Sequence, residues 1–356
     1  MLLVGGACHG VLLAVSLWLY PVQRRVDTAG WQNGIFRGQF NAAVNGALES
    51  RFRDGAQLIV VGSSDAMLGF RPDEVEALMP GVRVHSLATG SLRMDEIRQL
   101  VQLAWSVMPV EQRPRTRFVA TLVFPSFPGP RSPYVRREDG VAQRIRGSGE
   151  FRETDGVFEP RWTGSLLAAA TAVRRPLALV DAWADDLSAD TFGMQQFVSA
   201  ALAGGTPDVH LVWRTRPREQ LLFPRADTAE GRAVNVQFFR GVMGDETLGD
   251  AQFDELRRLC AWARVHGARL TLVGMPVPGW LRSALPYDAE YRARLAPIVD
   301  GLSADAPVGY VDLHDADLPM WDATHPVPGT SRVWASALVE RLRAAGEPPG
   351  AEAGTR

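Results

Sequence analysis

Along the chain, short apolar runs alternate with stretches in which apolar residues recur at helical spacing. Gln57-Leu-Ile-Val-Val61 is a continuous β-branched run that ends in Gly62-Ser63-Ser64. That pattern predicts a strand buried on both faces. Val82 to Leu87, Phe118 to Phe124, Arg269 to Met275 and Gly309 to Leu313 read as four more strands. Between them, Met94, Ile97, Val101 and Ala104 mark a helix, with Asp95 and Glu96 in the first turn where the helix dipole favours acids. Phe253 to Val265 predicts a second helix stopped by Gly267. Val333, Trp334, Ala337, Leu338 and Leu342 trace a third, after Pro328-Gly329. Strands alternating with helices predict βαβ units in a doubly wound, mainly parallel α/β sheet.

Two stretches break this rhythm. Residues 125–248 are too long for a structureless loop and predict a mostly helical insertion, with helical pieces around Leu166 to Ala172 and Phe192 to Ala203. Leu2 to Tyr20 is an almost uncharged apolar run close to the ~20 residues that span a bilayer as a helix. A membrane anchor over residues 1–25 is the preferred reading. A cleaved signal peptide fits less well, because the run ends Leu17-Trp18-Leu19-Tyr20-Pro21 without small residues, and a buried core helix is the third alternative. Residues 26–56 follow as a juxtamembrane helix or linker, 57–343 as the α/β domain with its insertion, and 344–356 as a tail disordered by composition. Arg24 and Arg25 alone would orient the anchor with the body in the cytoplasm.

Composition narrows the chemistry. The 356 residues are 46% hydrophobic and 22% charged, which is globular, and the net charge of −2 argues against a nucleic-acid partner bound through bulk positive charge. Lysine is absent: all 38 basic residues are arginine. Chemistry with an obligatory lysine is thereby excluded, including pyridoxal Schiff bases and Walker-A phosphate loops. Two cysteines, Cys8 and Cys260, offer neither a disulfide framework nor a thiolate zinc site.

Two short motifs carry candidate chemistry. Gly62-Ser63-Ser64-Asp65 stands at the carboxyl end of the first strand, where ligands bind in open parallel sheets. A serine on a tight strand-to-helix turn exposes its hydroxyl and brings its own backbone N–H as an oxyanion donor; helix capping is the plain alternative. Asp322-Ala-Thr-His325 precedes the last helix, and an acid three residues before a histidine is placed to orient the ring as a general base. A third cluster, Asp312-Leu-His314-Asp315-Ala-Asp317, has the donors for a metal ion, against the plainer reading of a polar strand end. Trp321, beside Asp322, is a candidate wall of a sugar or acyl pocket as well as a candidate core residue.

In order along the chain, these motifs resemble the SGNH (GDSL-like) hydrolase superfamily over roughly Gln57 to Leu342, without the insertion. Gly62-Ser63-Ser64 resembles its first block, with Ser64 at the nucleophile position. Ala88-Thr89-Gly90-Ser91 resembles the second, whose glycine, here Gly90, gives an oxyanion N–H. Asp322 and His325 resemble the last. The third block departs: its usual Gly-x-Asn-Asp is replaced by Phe124-Pro125-Ser126-Phe127, leaving Ser126 as a substitute donor. Losing one oxyanion donor typically costs ~100- to 1000-fold in rate. This departure, with the apolar N-terminus, is similar to membrane-anchored members that serve cell-envelope acylation, of the D-alanine-transfer and alginate O-acetylation type. The resemblance implies a flavodoxin-like three-layer sheet and a body outside the cytoplasm. It also implies an acyl-serine esterase or acyltransferase without cofactor, with a glycan or polyol acceptor and an acyl donor delivered by a membrane-bound O-acyltransferase. A non-catalytic envelope scaffold on the same framework and a metal-dependent hydrolase using Asp312 to Asp317 are the rival readings.

Overall fold

The computed structural model describes residues 11, 55–133, 135, 140–147, 151–154, 157–161, 225–244, 247–302, 307–327 and 329–346. Five parallel strands form one sheet: β1 (Ala56–Val61), β2 (Val82–Ser86), β3 (Thr116–Leu122), β6 (Arg269–Gly274) and β7 (Val308–Asp312), in the order β2-β1-β3-β6-β7. Each lies within two residues of the strand expected from its apolar run. Leu58 to Val61 on β1 and every residue of β3 are buried, as strands covered on both faces must be.

The helices between the strands are α1 (Ser64–Gly69), α2 (Pro72–Leu78), α3 (Met94–Val107), α4 (Val141–Gly147), α5 (Ala229–Met243), α6 (Asp250–His266), α7 (Gly279–Ala284), α8 (Tyr287–Asp300) and α9 (Ser331–Ala344). Helix α9 packs with α1 and α2, while α6 packs with α3 and α8. These two groups are what right-handed crossovers in this strand order place on opposite faces of the sheet. The expected doubly wound, parallel α/β architecture is therefore present. Counting sheet strands alone, the order is 2-1-3-4-5, which reverses direction between β1 and β3. Ligand crevices of open α/β sheets lie at such a switch point.

Local signals act as the sequence suggests. Gly267 ends α6 at φ 63°, and its N–H bonds back to the last turn. At the start of α3, the Glu96 carboxylate accepts the Arg93 N–H at 3.1 Å and, from its other oxygen, the N–H of Val141 at 3.3 Å. A first-turn acid thus also fastens α4 to the body. The described part of the insertion holds the helices α4 and α5, and also strands that the mostly helical expectation did not include. These strands are an antiparallel pair, β4 (Phe151–Thr154) with β5 (Val157–Pro160), packed against α3. Phe151 and Phe158 are buried while Arg152, Glu153 and Glu159 form ion pairs outside, and one buried residue per strand is too little to stand out in the sequence. The helical pieces expected at 166–172 and 192–203, the apolar run at 2–20 apart from residue 11, and the linker up to residue 54 lie outside the described residues; of the tail expected from 344, Ala344 closes α9 and residues 347–356 lie outside them. Among the described residues, no helix is long and apolar enough to cross a membrane.

Candidate active site

Ser64 is the first residue of α1, directly beyond the carboxyl end of β1 at the switch point. The turn that carries it depends on Gly62. A side chain there would put its Cβ 1.8 Å from Thr121 Oγ1 on β3 and 2.9 Å from the Ala66 Cβ. Only glycine lets the end of β1 pass this close to β3 while α1 begins. Ser63 is extended at the helix N-cap, yet its hydroxyl does not cap the backbone; it donates to Asp65 Oδ1 at 2.7 Å. The second loop lies alongside, since the Thr89 N–H bonds the Gly62 carbonyl at 3.0 Å. Its Ser91 has φ 60°, the one non-glycine residue with a left-handed backbone among the described residues.

The partner of Ser64 comes from a closed turn between β7 and α9. Met320 bridges to Pro326, and the Trp321 N–H donates to the His325 carbonyl at 2.8 Å. Inside this turn Asp322 Oδ1 accepts the N–H groups of Thr324 and His325, both at 2.8 Å, and Oδ2 lies 2.7 Å from His325 Nδ1. His325 Nε2 then stands 2.8 Å from Ser64 Oγ. Trp334 of α9 holds the two sides together: its Nε1–H donates to the Pro319 carbonyl at 3.2 Å while its ring fills the space beside Gly69 of α1.

Charge follows from these contacts. Burial would push the Asp322 carboxyl up, but the His325 ring and the two backbone N–H bonds outweigh it and hold the group below the usual aspartate range. An ionised Asp322 places the imidazole proton on Nδ1 and leaves Nε2 as the acceptor for the Ser64 hydroxyl. Hydroxyl, imidazole and carboxylate therefore form one unbroken proton relay. Ser64 and Asp322-His325, which stand far apart in sequence, are brought together.

The other candidates fare differently. Gly90 is buried in the loop beside the turn that carries Ser64. Ser126 lies in a single 3-10 turn after β3, 1% exposed, with an Oγ that has no hydrogen-bond partner and so no bond to Ser64 or His325. Trp321 is half-buried and serves the turn through both backbone groups: its carbonyl accepts the Ala226 N–H at 2.9 Å. The Arg225 guanidinium lies 4.8 Å from its ring centroid, so the end of the insertion docks on the acid–base turn. The Asp312 to Asp317 cluster does not converge. Asp312 accepts the His314 N–H, His314 Nε2 pairs with Asp288 of α8 at 3.1 Å, and Asp315 pairs with Arg282 and Arg292. Among the described residues no group of three or more His, Cys, Asp or Glu side chains is arranged to hold a metal ion. The metal-hydrolase reading of that cluster is corrected accordingly: its side chains serve ion pairs and loop bonds.

Sequence reasoning assigned no role to Asp65, Thr121, Tyr291 or Arg225, all of which crowd the relay or its supports. The signal for Asp65 was present, since it directly follows Ser64; the others are adjacent only in space.

No family model matches the chain, and no curated protein matches it. One solved structure that matches is a carbohydrate esterase family 2 enzyme plus carbohydrate binding domain from Corynascus thermopiles (Myceliophthora fergusii). It is 11% identical over 82% of this chain, at a TM-score of 0.37. The chain covers 66% of that structure's length, just under two thirds.

Proposed function

We propose that the protein is a serine esterase or acyltransferase acting on O-acyl groups of glycans or polyols through an acyl-Ser64 intermediate. The observation that carries this reading is the relay itself: 2.8 Å from Ser64 Oγ to His325 Nε2 and 2.7 Å from Nδ1 to Asp322. As Ser64 Oγ bonds to the acyl carbon, its proton passes to Nε2, and the imidazolium is stabilised by Asp322. The departing alkoxide takes that proton from His325. An acceptor hydroxyl or water then gives its proton to His325 as its oxygen bonds to the acyl carbon, and the acyl–Oγ bond breaks as His325 returns that proton to Ser64 Oγ. The first-turn N–H of Ser64, which has no acceptor within α1, and Gly90 from the adjoining loop are the proposed oxyanion donors. Ser126 stays a candidate third donor.

The proposal extends to a membrane-anchored protein of the cell envelope, working with a donor supplied by a membrane-bound O-acyltransferase. That part rests on the apolar run at residues 2–20 and the sequence resemblance. A fluorophosphonate probe is expected to label the protein and to fail on Ser64→Ala. Equal labelling of that variant would show the nucleophile to be elsewhere. Acetyl ester supplied with a glycan acceptor then separates transfer, read as acetyl-glycan, from hydrolysis, read as free acetate.

A further inference from the structure

Asp65 is a buried ionisable group that adjoins the relay and that the relay leaves unused. It is 1% exposed, one residue beyond Ser64. Its Oδ1 accepts the Ser63 hydroxyl at 2.7 Å, but its Oδ2 is buried without a hydrogen-bond partner. No arginine forms an ion pair with it among the described residues. The ionisable groups near it are His325 on the acid–base turn and Tyr291 on α8. The Tyr291 hydroxyl is itself buried without a partner, and burial keeps it protonated. A carboxylate taken out of water needs donors on both oxygens or a paired cation. Asp322 has three donors; Asp65 lacks any on Oδ2.

We propose that Asp65 is a positioning residue for Ser64, latching the nucleophile turn through the Ser63 hydroxyl and standing uncharged beside His325. The latch spans the two residues that flank Ser64, so it fixes the backbone from which the nucleophile projects. Its neutrality leaves Asp322 as the carboxylate that orients the imidazole, and it keeps a second negative charge from competing for the ring. Burial raises its pKa and outweighs the Ser63 hydroxyl, the Ala66 and Asp65 backbone N–H groups and the His325 ring, which all lower it. The inference rests on the acyl-serine reading above.

The test uses the full chain, with the rate of fluorophosphonate labelling and the kcat and KM for a small acetyl ester as readouts. Asp65→Ala is expected to lower kcat about tenfold with KM little changed, the scale of one lost hydrogen bond in the reacting geometry. Asp65→Asn, which keeps an Oδ1 acceptor without charge, is expected to recover most of that loss. Ser63→Ala, which removes the donor without touching the buried side chain, should match Asp65→Ala even where the latter folds poorly. Infrared difference spectra at neutral pH should show the carbonyl stretch of a protonated carboxyl in the wild type and not in Asp65→Asn. An absent band, an Asp65→Asn no faster than Asp65→Ala, or a Ser63→Ala as fast as wild type overturns the proposal. The two readings fail differently. If Ser64 is not the nucleophile, labelling is absent or unchanged in Ser64→Ala, and the band persists. If only the role of Asp65 is wrong, labelling still requires Ser64, while the band is absent or the Asp65 and Ser63 variants depart from the expected order.

Discussion

The two halves of the site each bury an aspartate next to a member of the proposed relay, and they treat it in opposite ways. On the acid–base side, Asp322 is 2% exposed and receives three hydrogen bonds inside a turn closed on itself. On the nucleophile side, Asp65 is 1% exposed with one oxygen unsatisfied, Gly62 has no room for a Cβ, and Ser91 holds a left-handed backbone nearby. Local rules are obeyed where a charge must be held steady and broken where a hydroxyl must be presented at a sharp turn. Departures of this kind gather at functional sites, where the rest of the fold sustains them.

The largest effect is expected on the satisfied side. Asp322→Asn keeps the shape of the turn but allows the amide to favour the other imidazole tautomer, in which Nε2 carries the proton and cannot accept that of Ser64. A fall in kcat of roughly 10⁴-fold is the scale of this error in serine triads. Steady-state kinetics on an acetyl ester measures it. A loss below tenfold would mean that the backbone, not the carboxylate, fixes the ring, and the contrast with Asp65 would lose its meaning.

Stability against pH sharpens the same contrast, with opposite signs. The Asp322 pKa is lowered on folding, so its contribution is present above the ordinary aspartate value of 3.8 and is lost as pH falls through the folded pKa. The Asp65 pKa is raised, so the folded state holds its proton longer than the unfolded chain. Its contribution is full below about 3.8 and is lost as pH rises through the folded pKa. Relative to wild type, Asp65→Asn should gain stability as pH rises through this window, by at most about 1.4 kcal/mol per pH unit for one proton. Asp322→Asn should lose it as pH rises through its own lower window. Urea denaturation at a series of pH values reads both, and parallel curves for Asp65→Asn and wild type would contradict an uncharged Asp65.

This asymmetry also explains what the sequence disclosed. The sheet was legible because strands buried on both faces must be continuous apolar runs, and Leu58 to Val61 and Phe118 to Leu122 are such runs. The acid–base turn was legible because its partners are three residues apart. Helix α8 was not: it buries Tyr287, Asp288, Tyr291 and Leu295, a face of hydroxyls and a carboxyl that does not read as apolar, and it carries Pro297 within. Nor was the approach of Thr121 to Gly62, which depends on the registry of β1 with β3, where Val61 pairs with Ala120. Asp65 stood in plain view beside Ser64, but its burial depends on elements distant in sequence that pack around α1, among them α9.

The smallest expected effect concerns Ser91. A left-handed backbone costs an L-residue about 1–2 kcal/mol, which glycine avoids. Ser91→Gly therefore relieves strain in the folded loop, while the freer unfolded chain takes back about 0.5–1 kcal/mol. The net expectation is a gain of up to about 1.5 kcal/mol, seen as a higher urea midpoint at unchanged m-value. A β-branched residue tolerates this conformation worst, so Ser91→Val should shift the midpoint the other way by more. If Ser91→Gly instead loses stability, contacts of the serine side chain hold the loop in place. The nucleophile side would then be as well satisfied at this position as the turn around Asp322, and the contrast between the two halves would narrow to Asp65 and Gly62 alone.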